Sequence, residues 1–243
     1  MRRLIVGLLG LTALSVGAAS AADLPAKAPV YKAPIPVAYN WTGLYVGLHV
    51  GGAWGRTTTE NVAPFGGFDE GIFESYSLNS SGVFGGGQFG YNWQRSNWVY
   101  GLEFDIGYLG LKKEINIPTV PPDDFVSVKY GWYGTFTGRL GYAWNNALLY
   151  AKGGGAVARI RNIASDLDGG VFDPADYSET STTKLGWALG GGLEYGLTPK
   201  WSIKGEYLYM DFGKITSTNA SAEQFTHRNQ VHTAKVGLNY RFY

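Results

Sequence analysis

The sequence predicts an all-β chain: an eight-stranded, antiparallel, up-and-down transmembrane β-barrel, preceded by a cleaved signal peptide and a proline-rich leader. Three observations predict it. Eight segments alternate apolar and polar residues with period two, and the mature chain holds no unbroken apolar run long enough for a spanning helix. The links between the segments are long and short in strict alternation, which puts every long link at one end of an up-and-down wall. A Greek-key sandwich would not sort its loops this way. The last segment carries Ala234, Val236, Leu238, Tyr240 and Phe242 on one face and finishes in aromatics. Such a strand suits a closed barrel in lipid, where the last strand pairs with the first.

Composition agrees. Among 243 residues there are 36 Gly, 17 Tyr, 12 Phe and 8 Trp, which fits a curved wall with rings at its rims. Only 16% of residues are charged, and no block of like charge points to nucleic acid. Cysteine is absent, which removes disulfides, thiolate chemistry and cysteine metal sites.

Residues 1–21 read as a signal peptide. Met1-Arg2-Arg3 is a basic start, Leu4 to Val16 an apolar run, and Ala19-Ser20-Ala21 an A-x-A cleavage pattern, with cutting expected after Ala21 or Ala22. Loss of Arg2 and Arg3 leaves 18 basic against 19 acidic residues. Residues 22–40 carry Pro25, Pro29, Pro34 and Pro36 and read as an extended periplasmic leader. Peptidoglycan or other envelope proteins are its candidate partners.

The barrel is expected over residues 41–243. Its outward face begins with Leu44, Val46, Leu48 and Val50. The second segment offers Val83, Phe89, Tyr91 and Trp93, and the third Trp98, Tyr100, Leu102, Phe104, Ile106 and Tyr108. The fourth has Val128, Tyr130, Trp132, Phe136, Leu140 and Tyr142 on one side. Leu149, Ala151 and Val157 mark the fifth, Leu185, Trp187, Leu189, Leu193 and Tyr195 the sixth, and Trp201, Ile203, Tyr207 and Tyr209 the seventh. The tight turns fall at 94–97, 144–147 and 198–200. The long links fall at 57–80, 110–125, 161–182 and 213–230, with 13 acidic against five basic residues. Trp41, Trp93, Trp98, Trp144 and Trp201 flank the tight turns, where an interfacial girdle belongs, and Tyr108 and Tyr130 lie toward the other rim.

An eight-stranded bore is just wide enough for side chains to fill. The inward face carries Glu103, Asp105, Glu194 and Glu206 against Arg139, Lys152, Lys204 and Lys235. Equal numbers predict a paired charge network, since unpartnered buried charge is costly. Adjacent strands suggest the pairs Glu103–Arg139, Lys152–Glu194 and Glu206–Lys235.

GLYVGL from Gly43, WSIKGEYLY from Trp201 and VGLNYRF from Val236 resemble the small outer-membrane barrel proteins of alphaproteobacteria, the outer-membrane immunogenic or porin-family group. These share their architecture with the membrane domain of outer membrane protein A. The resemblance implies a Gram-negative outer-membrane location, contact with outer-membrane lipid and lipopolysaccharide, and a structural role in envelope integrity and surface display. It also implies that Leu238, Tyr240, Phe242 and Tyr243 carry the signal read by the barrel assembly machinery. Tyr243 departs from the pattern by one residue.

Other chemistry is sparse. Gly85-Gly-Gly-Gln-Phe-Gly90 matches the dinucleotide fingerprint but lies inside a strand with no helix behind it. His49 is expected in the lumen. No serine is fixed beside a histidine, so no catalytic residue is predicted. His227 and His232 are the candidate haem ligands; otherwise no cofactor or metal is expected. The alternatives to a structural barrel are a small diffusion pore and a haem-binding surface receptor.

Overall fold

The computed structural model describes residues 39–61, 75–117, 124–165, 177–218 and 224–242. The expected signal peptide, most of the leader and Tyr243 lie outside them.

Nine strand segments form one sheet: β1 (Gly43–Asn61), β2 (Ser75–Arg95), β3 (Trp98–Leu109), β4 (Lys112–Ile117), β5 (Asp124–Trp144), β6 (Ala147–Ser165), β7 (Tyr177–Gly196), β8 (Trp201–Thr218) and β9 (Gln224–Arg241). All pairings are antiparallel, and β1 pairs with both β2 and β9, so the sheet closes. β3 and β4 are one stave, interrupted at Gly110-Leu111, because both lie between β2 and β5. The barrel therefore has the eight staves that the alternation predicts. Among the described residues no edge strand remains, as hydrocarbon requires.

The tight turns are real. Ser96 and Asn145 adopt φ of 55° and 52°, the left-handed region that two-residue hairpin turns use. Asn97 donates to the Ala143 carbonyl at 2.8 Å and Asn146 to the Gly196 carbonyl at 3.3 Å, which ties neighbouring turns into a rim.

The outward face is apolar over a belt. Leu48, Val83, Phe136, Leu185 and Val236 are more than half exposed, an arrangement that is stable only against hydrocarbon. Trp93, Trp98, Trp144 and Trp201 ring the tight-turn end of the belt. Trp41 corrects the expectation: it is fully buried inside the barrel mouth and is no part of the girdle.

The strands run further than the alternation suggested, into the segments expected to be long loops. The reason is an inversion of the pattern past the belt. There the outside is wet, with Arg56, Thr58, Ser81 and Arg228 facing out, while the inside becomes apolar. Leu78, Phe84, Leu109, Leu111, Tyr130, Ile160, Met210, Phe212, Ile215 and Val231 form one buried cluster. Two bulges help to build it. One extra residue in β5 between Tyr130 and Tyr133 reverses which side chains face in. Val128 and Tyr130, expected on the lipid side, are thereby buried in the interior. Tyr130 instead meets Thr57 and Asn229 through its hydroxyl. The second bulge, between Asp211 and Lys214 in β8, carries Gly213 at φ 66° and turns Phe212 and Ile215 inward.

Candidate functional site

The lumen inside the belt is the most unusual part of the molecule. The eight ionisable residues singled out in the sequence all point into it and all are at least 95% buried. β3 supplies Glu103 and Asp105 two residues apart, so period two aims both inward; β8 does the same with Lys204 and Glu206. β5, β6, β7 and β9 give Arg139, Lys152, Glu194 and Lys235.

Lys152 holds the centre. Its Nζ lies 2.6 Å from Glu103 Oε1, 3.0 Å from Asp105 Oδ2 and 3.0 Å from Glu206 Oε1. The three carboxylates converge within 4.8 Å of one another, the spacing of a metal cage, but the lysine ammonium fills the position an ion would take. Lys235 bridges Asp105 at 2.6 Å and Glu206 at 2.9 Å. Lys204 bridges Glu103 at 2.9 Å and Glu206 at 3.5 Å. Arg139 binds Glu194 at 2.8 Å and approaches Glu103 at 3.6 Å.

Of the pairs expected between adjacent strands, Glu103–Arg139 and Glu206–Lys235 are in contact. Lys152 and Glu194 are not brought together, because the register sets Glu194 opposite Leu148 and Lys152 opposite Gly190. Arg139 reaches Glu194 across the bore from β5 to β7 instead, and Lys152 reaches Glu206 from β6 to β8.

Neutral donors complete the network. Tyr45 donates to Glu103 at 2.7 Å, Tyr150 to Glu206 at 2.8 Å and Thr135 to Asp105 at 3.0 Å. Ser202 and Asn239 donate to the second oxygen of Glu194, at 2.6 and 2.9 Å. Period two places Tyr45 and Tyr150 inward, next to the outward Leu44 and Leu149, but composition does not mark them as donors. His49 faces the lumen as expected and shares hydrogen bonds with Gln88 and Tyr133.

The charged layer is closed at both ends by apolar layers. Toward the outside stands the cluster that contains Tyr130 and Phe84. At the tight-turn end Tyr39, Trp41, Val99, Ala143, Leu148 and Tyr150 pack together. Arg241 stacks over the rings of Tyr39 and Trp41 at 4.6 and 4.9 Å and donates to the Asn40 carbonyl. Residues 39–41, at the end of the stretch expected to be an extended leader, are thus folded into the mouth of the barrel.

The two histidines considered for haem do not form a site together. Both are in β9, not in a loop; His227 points inward and His232 outward. His227 is buried with Thr59 Oγ1 at 2.9 Å from its Nδ1, and burial pushes its imidazole down to about 4. His232 meets the Tyr207 hydroxyl at 2.6 Å. One iron cannot take both rings. Ser217 is in β8, and Ser221 lies outside the described residues. Leu238 and Phe242 face outward, and Tyr240 stacks between Trp201 and Phe242 at 5.0 and 5.1 Å.

Known proteins match along nearly the whole chain. The family model described as the outer membrane protein beta-barrel domain matches residues 8–242. The 31 kDa outer-membrane immunogenic protein of Brucella melitensis is 33% identical over 97% of this chain and 98% of its own length. The 22 kDa outer membrane protein of Rhizobium leguminosarum bv. viciae is 32% identical over 87% and 82%. Among solved structures, outer membrane protein OprG of Pseudomonas aeruginosa shares the fold with a TM-score of 0.50 at 12% identity, covering 84% of this chain and 98% of that one.

Proposed function

The chain belongs to the outer membrane protein beta-barrel family of Gram-negative envelopes, with alphaproteobacterial relatives, and from that membership we propose that it is a sealed structural barrel, contributing to envelope integrity and surface display, with no open pore and no catalytic site. One observation carries this reading: Lys152 Nζ sits within 3.0 Å of three carboxylates at the centre of the bore. A solute path through this layer would have to separate ion pairs that are almost fully buried. Apolar layers on both sides add a second and third barrier to hydrated solutes. What remains to act on the surroundings is the outer wall and the segments that join the strands beyond it.

The test is electrical and osmotic. In planar bilayers the wild-type protein gives no large steady open state, and proteoliposomes loaded with it do not swell in isosmotic arabinose or glycine. A stable nanosiemens-scale conductance, or swelling at rates typical of a general porin, would overturn the sealed-barrel reading in favour of a diffusion pore. Haemin titration checks the receptor alternative: the Soret spectrum is expected to be the same for the wild type, His227→Ala and His232→Ala.

A further inference from the structure

Just past the lipid-facing belt the wall carries cations where a sheet would not place them for its own stability. On the outward face Lys112 of β4 stands directly opposite Lys129 of β5, and Lys129 opposite Arg161 of β6. Arg159, one outward position closer to the belt on β6, lies beside the β5 bulge, where its Cβ is 3.7 Å from the place a Cβ on Gly131 would take. Like charges directly opposite each other across strands destabilise a sheet. Glu114 offsets part of the charge through Lys112 at 3.2 Å, with both side chains about half exposed. Lys129 has no ion-pair partner among the described residues.

Charge is also sorted along the chain. The four segments beyond the strands, 62–74, 118–123, 166–176 and 219–223, contain nine Asp and Glu and not one Lys or Arg. Every base that the sequence reading assigned to the long links lies in a strand instead, close to the belt: Lys112, Lys113, Arg161, Lys214 and Arg228. If bases served only to keep the outer surface soluble, nothing would exclude them from those acidic stretches. That level, Lys129 on β5 and Arg159 on β6, immediately follows Trp132 and Val157 on the outward face, with Ile163 outward again further along β6. It is where the headgroup phosphates of the outer leaflet lie, and a repulsive row of Lys and Arg becomes favourable when anions sit between them.

We propose that Lys112, Lys129 and Arg159 form a docking site for the phosphate groups of an outer-leaflet glycolipid, whose acyl chains run down the wall past Trp132 and Val157. The ammonium and guanidinium groups hold the phosphates, and the belt holds the hydrocarbon. The site rests on placement in the outer membrane and not on the sealed lumen, so either reading can fail without the other.

The test uses the full mature chain refolded into phosphatidylcholine vesicles, alone or with bisphosphorylated lipid A, dephosphorylated lipid A or phosphatidylglycerol. The readout is the unfolding rate in urea, followed by the mobility of unboiled samples on gels. Lipid A is expected to slow wild-type unfolding by about tenfold or more relative to its dephosphorylated form. Lys112→Ser/Lys129→Ser/Arg159→Ser should lose that difference, and in phosphatidylcholine, with the cross-strand repulsion removed, it should unfold no faster than the wild type. Should the triple variant not fold, Lys129→Gln alone is expected to lose a third or so of the logarithmic gain. An equal gain in wild type and variant, or no difference between the two lipid A forms, overturns the proposal. So does an equal gain from phosphatidylglycerol, which would mean attraction to any anionic surface.

Discussion

Tyr150 lies against Gly192, its directly opposite partner on β7, so closely that a Cβ on the glycine would come within 2.8 Å of the phenol oxygen. Tyr45 stands in the same relation to Gly90, its opposite partner on β2. Each tyrosine leans across a bare stretch of backbone and delivers its hydroxyl to a central carboxylate, Glu206 or Glu103. These glycines are spaces that aim the donors of the charge network.

Filling that space should show. Gly192→Ala pushes Tyr150 off Glu206 and also crowds the Gly205 carbonyl. A cost of about 1–3 kcal/mol is expected, the usual range for overpacking. Urea midpoints of gel mobility would record it, and Gly205→Ala, which meets nothing within 4 Å, is the control that should stay near wild type.

Removing one central charge should cost more than removing a surface one. Glu103→Gln leaves Lys152, Lys204 and Arg139 short of a carboxylate in the buried centre of the bore, at about 3–5 kcal/mol. Lys214→Ala breaks only an exposed 3.5 Å pair with Glu60 and should change stability by about 0.5 kcal/mol or less. Equal losses for the two variants would mean that the central pairs are solvated.

The leader's end acts as a stopper at the tight-turn mouth. Trp41→Ala deletes a fully buried indole and the ring beneath Arg241, for an expected loss of about 3–5 kcal/mol. Protease protection of the Tyr39–Trp41 stretch in folded vesicles should fall with it. Unchanged protection would mean that the mouth is closed by other residues.

Acid should loosen the outer hairpins before the belt. His227 is held down to about 4 by burial, against about 6.5 when free. The opened hairpin therefore takes up a proton first. The stability contributed above pH 6.5 is lost as pH falls toward 4, by up to about 3 kcal/mol. Amide exchange of β1 and β9 near Thr59 and His227 should quicken between pH 7 and pH 4.5 beyond the intrinsic change in rate, and His227→Asn should remove that excess.

Period two made the belt legible in the sequence, because lipid on one side and a charged bore on the other impose opposite chemistry on alternate residues. Lys204 and Glu206, or Leu102 and Glu103, show their faces without any structure. Beyond the belt that constraint disappears. Val128 and Tyr130 read as lipid-facing because one extra residue in β5 reverses the wall without altering composition. Partners across the bore were equally hidden. Arg139 finds Glu194 two staves away, a match set by the stagger of the closed sheet and not by any spacing along the chain. Trp41 looked like one more rim tryptophan, since a ring tucked into a mouth and a ring at an interface occupy the same place in sequence.

The dry cluster above the membrane has a further consequence. Because Leu111, Ile160, Phe212 and Val231 bind the protruding staves to one another, the part of the wall that stands clear of the bilayer is held like a small water-soluble domain. That stretch of wall therefore keeps its shape by its own packing, whatever residues the connections between its strands carry.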